Sequence, residues 1–173
     1  MKNKNIYLIG AMGVGKTSLG KKLAKRLNLS FYDSDLEIMD RTGVSIPHIF
    51  DLEGEKGFRK REKNMIAHLC QKKDIVLATG GGVVLNSENT NILTKTGIVI
   101  YLKSSIEQLV ERTLKSKKSR PLLDNAEDRY LTIKNILDKR ESLYENSANL
   151  IIDVTGKKPY QIIDEIIYNL NLV

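Results

Sequence analysis

Eight residues near the start of the chain have the types and spacing that hold a phosphate chain: GAMGVGKT at 10–17 sets Gly10, four intervening residues, then Gly15, Lys16 and Thr17. Every fixed position of the P-loop pattern is filled. Glycines let the backbone take the angles of a concave turn whose N–H groups converge on an anion. A helix starting immediately afterwards adds its own unpaired N–H groups and the positive end of its dipole. Gly13, Val14, Gly15, Lys16, Thr17 and Ser18 are therefore candidate contacts to a phosphate chain. Lys16 brings a full charge to the outer phosphates, and the Thr17 hydroxyl can join the shell of a magnesium ion bridging them. The competing reading is a glycine-rich turn that binds nothing. The flanks argue against it: Ile6, Tyr7, Leu8 and Ile9 read as a strand before the motif, and Leu19, Leu23 and Leu27 as one face of a helix after it.

Further along, other residues have chemistry to offer. Asp33 and Asp35 close a short second strand, and in open parallel sheets the ligand lies beyond the carboxyl ends of the strands. Strand alternation would turn both acids to one side. One can then reach magnesium through water while the other orients or deprotonates a hydroxyl, although either can simply cap the next helix. Gly80, Gly81 and Gly82 pack no side chain, which suits a ligand touching the backbone, although paired glycines are also common in turns. Arg59 follows Phe58 on a helix and is either a ligand contact or a solvated charge. Arg120 sits in the polar, lysine-rich segment TLKSKKSRPLLDNAED at 113–128, interrupted by Pro121 and long for a simple connector. The stretch at about 113–125 reads as a mobile lid, with Arg120 brought down on the transferring phosphate. His48 and His68 lack a partner at metal-ligand spacing and read as structural or exposed. Cys70 is the only cysteine, so an intramolecular disulfide is excluded, and it reads as a small buried residue.

The elements that must position these residues follow from the alternation of strand-like and helical runs. Strands are expected at 5–10, about 30–34, 74–79, 97–102 and 149–153, with helices between them, Pro47 opening one and Gly54 interrupting it. After the lid a long helix is expected from Ala126, with Tyr130, Ile133, Leu137 and Tyr144 on one face, Ile136 beside them and Arg140 following. That order predicts an α/β fold: a three-layer α/β/α arrangement with a central five-stranded parallel sheet. At 173 residues the chain is expected to form one domain, 1–173, with a substrate-binding segment at about 33–62.

Composition narrows the function classes. The net charge of +7 suits nucleic acid and small anions equally. The absence of tryptophan, the presence of only three phenylalanines and the lack of a basic tail argue against nucleic acid. No apolar run nears the ~18 residues that would cross a bilayer. The start, MKNKN, runs directly into a strand, so the chain is expected in the cytoplasm, with no membrane partner.

The ordered set GAMGVGKT, DSD at 33–35, GEKGFRKRE at 54–62, GGG at 80–82, RPLL at 120–123 and RESLY at 140–144 resembles the shikimate kinase family across nearly the whole chain. The resemblance implies ATP-dependent phosphorylation of the 3-hydroxyl of shikimate, with Mg2+ as cofactor and a monomeric enzyme. It implies that Asp35 holds the accepting hydroxyl as base and that Asp33 reaches magnesium through water. Arg59 and Arg140 would clamp the shikimate carboxylate, and the backbone of Gly80, Gly81 and Gly82 would close on the ring. Arg120 would act on the phosphates, Arg112 would stack on adenine, and the segment around Lys157 to Pro159 would cover its other edge. A forked pair of arginines suits a carboxylate better than lysines do. The alternatives are a gluconate or nucleoside monophosphate kinase of the same fold, or a related binding protein that has lost catalysis.

Overall fold

The computed structural model describes residues 5–117, 119–124 and 126–171. Strand β1 (Asn5–Ile9) is buried at every position, as its unbroken apolar run requires of a central parallel strand covered on both faces. It pairs in parallel with β3 (Ile75–Ala78) on one side and β4 (Gly97–Lys103) on the other. The edges are β2 (Ser30–Asp33) and β5 (Leu150–Asp153), giving the order β2-β3-β1-β4-β5 with every pair parallel. The expected five-stranded parallel sheet is therefore present. The strand order reverses at β1, and the crevice beyond the carboxyl end of a strand at such a switch is where α/β sheets bind ligands.

Helix α1 (Lys16–Leu27) leaves β1 through the glycine-rich turn and packs on β3 and on α7 (Pro159–Asn169). Its first-turn geometry explains the glycines. Gly13 and Gly15 have φ of 82° and 104°, in the left-handed region that L side chains rarely adopt. Helix α2 (Ser34–Thr42) starts directly at the end of β2, so Asp35 lies in a helical first turn and strand alternation ends at Asp33. The two acids are brought to one side by this cap geometry, not by the period of a strand.

Helix α3 (Ile46–Leu69) is capped by Ser45, has Pro47 in its first turn, and breaks at Gly54 (φ 67°) as expected. Helix α4 (Ser87–Thr96) follows β3 and a short 3₁₀ turn at 83–85. The region of the expected lid is corrected at both ends. Helix α5 (Ile106–Lys115) continues through Thr113, Leu114 and Lys115, and α6 (Arg129–Ser147) starts at the Asp128 cap rather than at Ala126. Tyr130, in the first turn of α6, is 44% exposed, so the buried face of that helix is Ile133, Leu137, Arg140 and Tyr144. Lys118 and Asn125 of the lid, like residues 1–4 and 172–173 of the expected domain, lie outside the described residues. Cys70 is buried, and His48 and His68 are exposed. Among the described residues no helix is long and apolar enough to cross a membrane.

Candidate active site

Beyond the carboxyl ends of β1, β2 and β3 opens a cavity of about 470 Å³. Its floor is the glycine-rich turn. The Lys16 ammonium, buried at 9% exposure, bonds the Gly10 and Ala11 carbonyls at 2.7 and 2.8 Å. Those bonds curl the lysine back over the turn that supplies the N–H groups, so charge and dipoles address one point. The Thr17 hydroxyl donates to Asp33 Oδ2 at 2.6 Å. The other oxygen of Asp33 accepts from the backbone N–H groups of Asp35 and Leu36 at 3.0 and 3.2 Å, which caps α2. Asp33 thus caps α2 and lines the cavity at once. A hydroxyl beside a carboxylate is an all-oxygen, hard donor pair of the kind magnesium accepts. Among the described residues no group of three or more His, Cys, Asp or Glu side chains surrounds a metal position.

The facing wall is made of charged side chains from distant segments. Arg59, on α3, donates through Nη1 to Glu62 Oε2 at 2.9 Å and through Nε and Nη2 to Glu55 Oε1 at 3.2 and 3.0 Å. Burial opposes the charge on Arg59, but the charges and bonds of Glu62 and Glu55 more than offset it and raise its pKa. Glu62 is itself fully buried. Burial raises its pKa, Arg59 acts in the opposite direction by charge and bonding, nearby Asp35 adds to the rise, and Arg140 counters it. Arg140, at 7% exposure in the apolar stripe of α6, donates to the Gly81 carbonyl at 3.3 Å. The aromatic rings of Phe50 and Phe58, 5.0 Å apart, line the same wall.

Two of the three glycines, Gly80 and Gly82, leave no room for a side chain. A Cβ on Gly82 would lie 2.3 Å from both Nη atoms of Arg59, and one on Gly80 would lie 2.7 Å from Glu62 Oε1 and 2.9 Å from Asp35 Oδ1. Those separations are far inside van der Waals contact, so any side chain here would push the charged groups out of place. The Gly80 N–H is held by Ser34 Oγ at 3.0 Å.

Over the opening hangs the turn at 119–124. The Asp124 carboxylate accepts from the Arg120 N–H at 2.9 and 3.0 Å and from the Ser119 hydroxyl, and the Leu123 N–H closes on Arg120 O at 2.7 Å. Arg120 lines the cavity with Ser119, Pro121 and Leu122. Burial and the nearby Arg129 lower its pKa while Asp124 opposes them.

Of the expected site residues, the structure brings Gly13, Gly15, Lys16, Thr17, Ser18, Asp33, Asp35, Arg59, the three glycines, Arg112, Arg120 and Arg140 to one cavity. Val14 turns its side chain fully into the core and offers only backbone; its carbonyl accepts from Arg112 Nη1 at 2.9 Å. Lys157 is not brought there. Its ammonium is drawn 2.6 Å from Glu165, two turns along α7. Sequence reasoning missed Glu62, Tyr144 and Ser34. Glu62 stands three residues from Arg59 and Tyr144 four from Arg140, the spacings at which helical neighbours meet. That spacing was the available signal. Ser34 has no comparable signal, because its partner Gly80 is 46 residues away.

Comparison with known proteins puts names to this arrangement. Residues 12–171 match the shikimate kinase family. The chain is 47% identical over 167 residues to a shikimate kinase of Hahella chejuensis, covering 96% of this chain and 86% of that protein. It is 46% identical to one from Francisella tularensis subsp. novicida, covering 96% of this chain and 94% of that protein. Among solved structures, shikimate kinase from Acinetobacter baumannii in complex with shikimate superposes with a TM-score of 0.94 at 39% identity, covering 98% of this chain and 94% of that one.

Proposed function

The chain belongs to the shikimate kinase family, so its reaction is transfer of the γ-phosphoryl group of ATP to the 3-hydroxyl of shikimate in aromatic amino acid biosynthesis, and we propose that its residues divide that work between two walls of one cavity. The observation that carries this division is the convergence of Lys16, two aspartates and two arginines on a single cavity. The P-loop backbone and Lys16 hold the β- and γ-phosphates, and Ser18 and Arg112 border the same wall. Thr17 and Asp33 are the oxygen donors that would hold magnesium, Asp33 through water. Magnesium, when bound, supplies positive charge to the phosphate oxygens during transfer.

On the other wall Arg59 and Arg140 bind the carboxylate of shikimate, and the backbone at Gly80, Gly81 and Gly82 lies against its ring. Asp35 orients the 3-hydroxyl and takes its proton as the oxygen attacks the γ-phosphorus and the bond to ADP breaks. Arg120 closes from the lid and neutralises charge on the phosphoryl group in flight. Phosphoryl transfer asks mainly for positioning and charge, which these residues supply. Lys157, committed to Glu165, is given no contact.

The scheme asks nothing of a second copy of the chain, so a monomer in the cytoplasm, where ATP is supplied, is the working unit proposed. The test is release of ADP from magnesium-ATP in the presence of shikimate, gluconate or a panel of nucleoside monophosphates. Turnover should require shikimate. Equal turnover with a substrate lacking a carboxylate would overturn the arginine clamp.

A further inference from the structure

One buried side chain behind the cavity, outside its lining, bonds a glycine of the wall and is assigned nothing by the scheme above. Tyr144 is fully buried on α6, one turn after Arg140, with its ring stacked on Tyr101 at 5.0 Å between centroids and 21° between planes. Its hydroxyl donates to the carbonyl of Gly81, the same oxygen that Arg140 Nη1 reaches at 3.3 Å. A buried phenol needs a partner, but the choice of partner here has consequences for the site. Gly81 is the middle glycine of the acceptor wall. A Cβ on it would stand 3.4 Å from Met12 N and 3.5 Å from Gly10 O, so its Cα rests against the backbone of the phosphate-binding turn.

We propose that Tyr144 is a positioning residue: by satisfying the Gly81 carbonyl it leaves the Arg140 guanidinium for the substrate carboxylate and fixes the glycine that joins the two walls. The argument is one of competition. A buried carbonyl must be paired. With the Tyr144 hydroxyl in place, the 3.3 Å bond from Arg140 is at the long limit and easily given up to a carboxylate. Without it, Arg140 is the remaining described donor to that oxygen and is pulled off the substrate. The peptide plane carries the same constraint to the Gly82 N–H, which points opposite to the Gly81 carbonyl. Burial raises the phenol to about 12, against the opposing charge and hydrogen bond of Arg140, so the hydroxyl keeps its proton and remains a donor throughout the working pH range.

This inference rests on Arg140 binding the substrate carboxylate, and the experiment separates the two. Tyr144→Phe keeps the ring and its stack. It should raise the KM for shikimate roughly five-fold, the range of one hydrogen bond, with the KM for ATP unchanged. In an Arg140→Ala background the same substitution should add less than about two-fold, since the group it positions is gone. Arg140→Ala alone leaving the shikimate KM unchanged overturns the clamp itself. A large effect of Arg140→Ala with none of Tyr144→Phe, or equal rises in both KM values, overturns only the positioning role. If Tyr144→Phe does not fold, wild-type enzyme still decides: the Tyr144 hydroxyl proton, followed by NMR, should shift on addition of shikimate and not on addition of ADP. A resonance unmoved by saturating shikimate rejects the proposal.

Discussion

The two walls of the cavity are built on opposite plans. The phosphate wall is nine consecutive residues, 10–18, plus Asp33, and it is held mainly through backbone: Lys16 on two carbonyls, Arg112 on a third. The acceptor wall is drawn from α2, α3, the turn after β3, and α6, and it is held by side chains that grip one another, Arg59 between Glu55 and Glu62 and Arg140 beside Tyr144 over Gly81. A phosphate chain is met by dipoles that any side chain set can provide if the turn is right. A particular hydroxy acid needs charges at particular places, and those must be fixed by other charges. The first plan is transferable among substrates; the second is specific, and it is the one that substitutions should disturb most selectively.

Substitutions can break or sharpen that contrast. The largest effect is expected where the walls meet. Asp35→Asn should lower kcat by about 10²–10⁴-fold, the range of a general base, with both KM values near wild type; a normal kcat would show that the hydroxyl needs no base. Arg120→Ala should lower kcat on the order of 10³-fold, and normal turnover would reduce the lid to a shield. Within the acceptor wall, Arg59→Ala should weaken shikimate binding by about 2–5 kcal/mol, the cost of truncating a buried charge pair. A changed KM for ATP in that variant would mean the walls are not separable. Gly82→Ala should raise the shikimate KM by about ten-fold or more, since its Cβ displaces the Arg59 guanidinium by overlap of the kind that costs ~1–3 kcal/mol in a packed site.

The smallest effect is on stability. The pKa of Glu62 is raised in the folded protein, chiefly by burial. The unfolded chain therefore loses this proton first as pH rises, and the contribution of Glu62 to stability, full below its unfolded pKa, is lost as pH climbs through the folded one. Glu62→Gln removes that loss. Its melting temperature relative to wild type should improve from acidic to neutral pH, while its shikimate KM rises because Arg59 loses a charged anchor. A difference in melting temperature that is flat with pH would show that Glu62 is not held at a cost.

How much of this was legible in the sequence follows the same divide. The P-loop needed no fold to be read, because its chemistry lies in adjacent residues and its context is one strand and one helix. Arg59 stood beside Phe58 with nothing to distinguish clamp from solvated charge until the motifs around it were taken together. A second reason for Gly80 and Gly82 was not legible: the space a Cβ would need is taken by Arg59, Glu62 and Asp35, and that crowding exists only after α2 and α3 have packed. Asp33 and Asp35 were expected to face one side by strand alternation, and they do so by helix capping instead.

The sequence alone therefore determined the glycine-rich turn and the strands and helices, each set by near neighbours along the chain, and the alternation of those elements implied a parallel sheet. Only the tertiary structure decided that Glu62, a helical neighbour of Arg59 by spacing, is fully buried, that Tyr144 reaches Gly81 across 63 residues, and that Lys157 turns to Glu165 rather than to the cavity. Hydrogen bonds and ion pairs between distant segments are chosen by which groups lose their water together when the chain packs, and no local pattern of residue types records that choice.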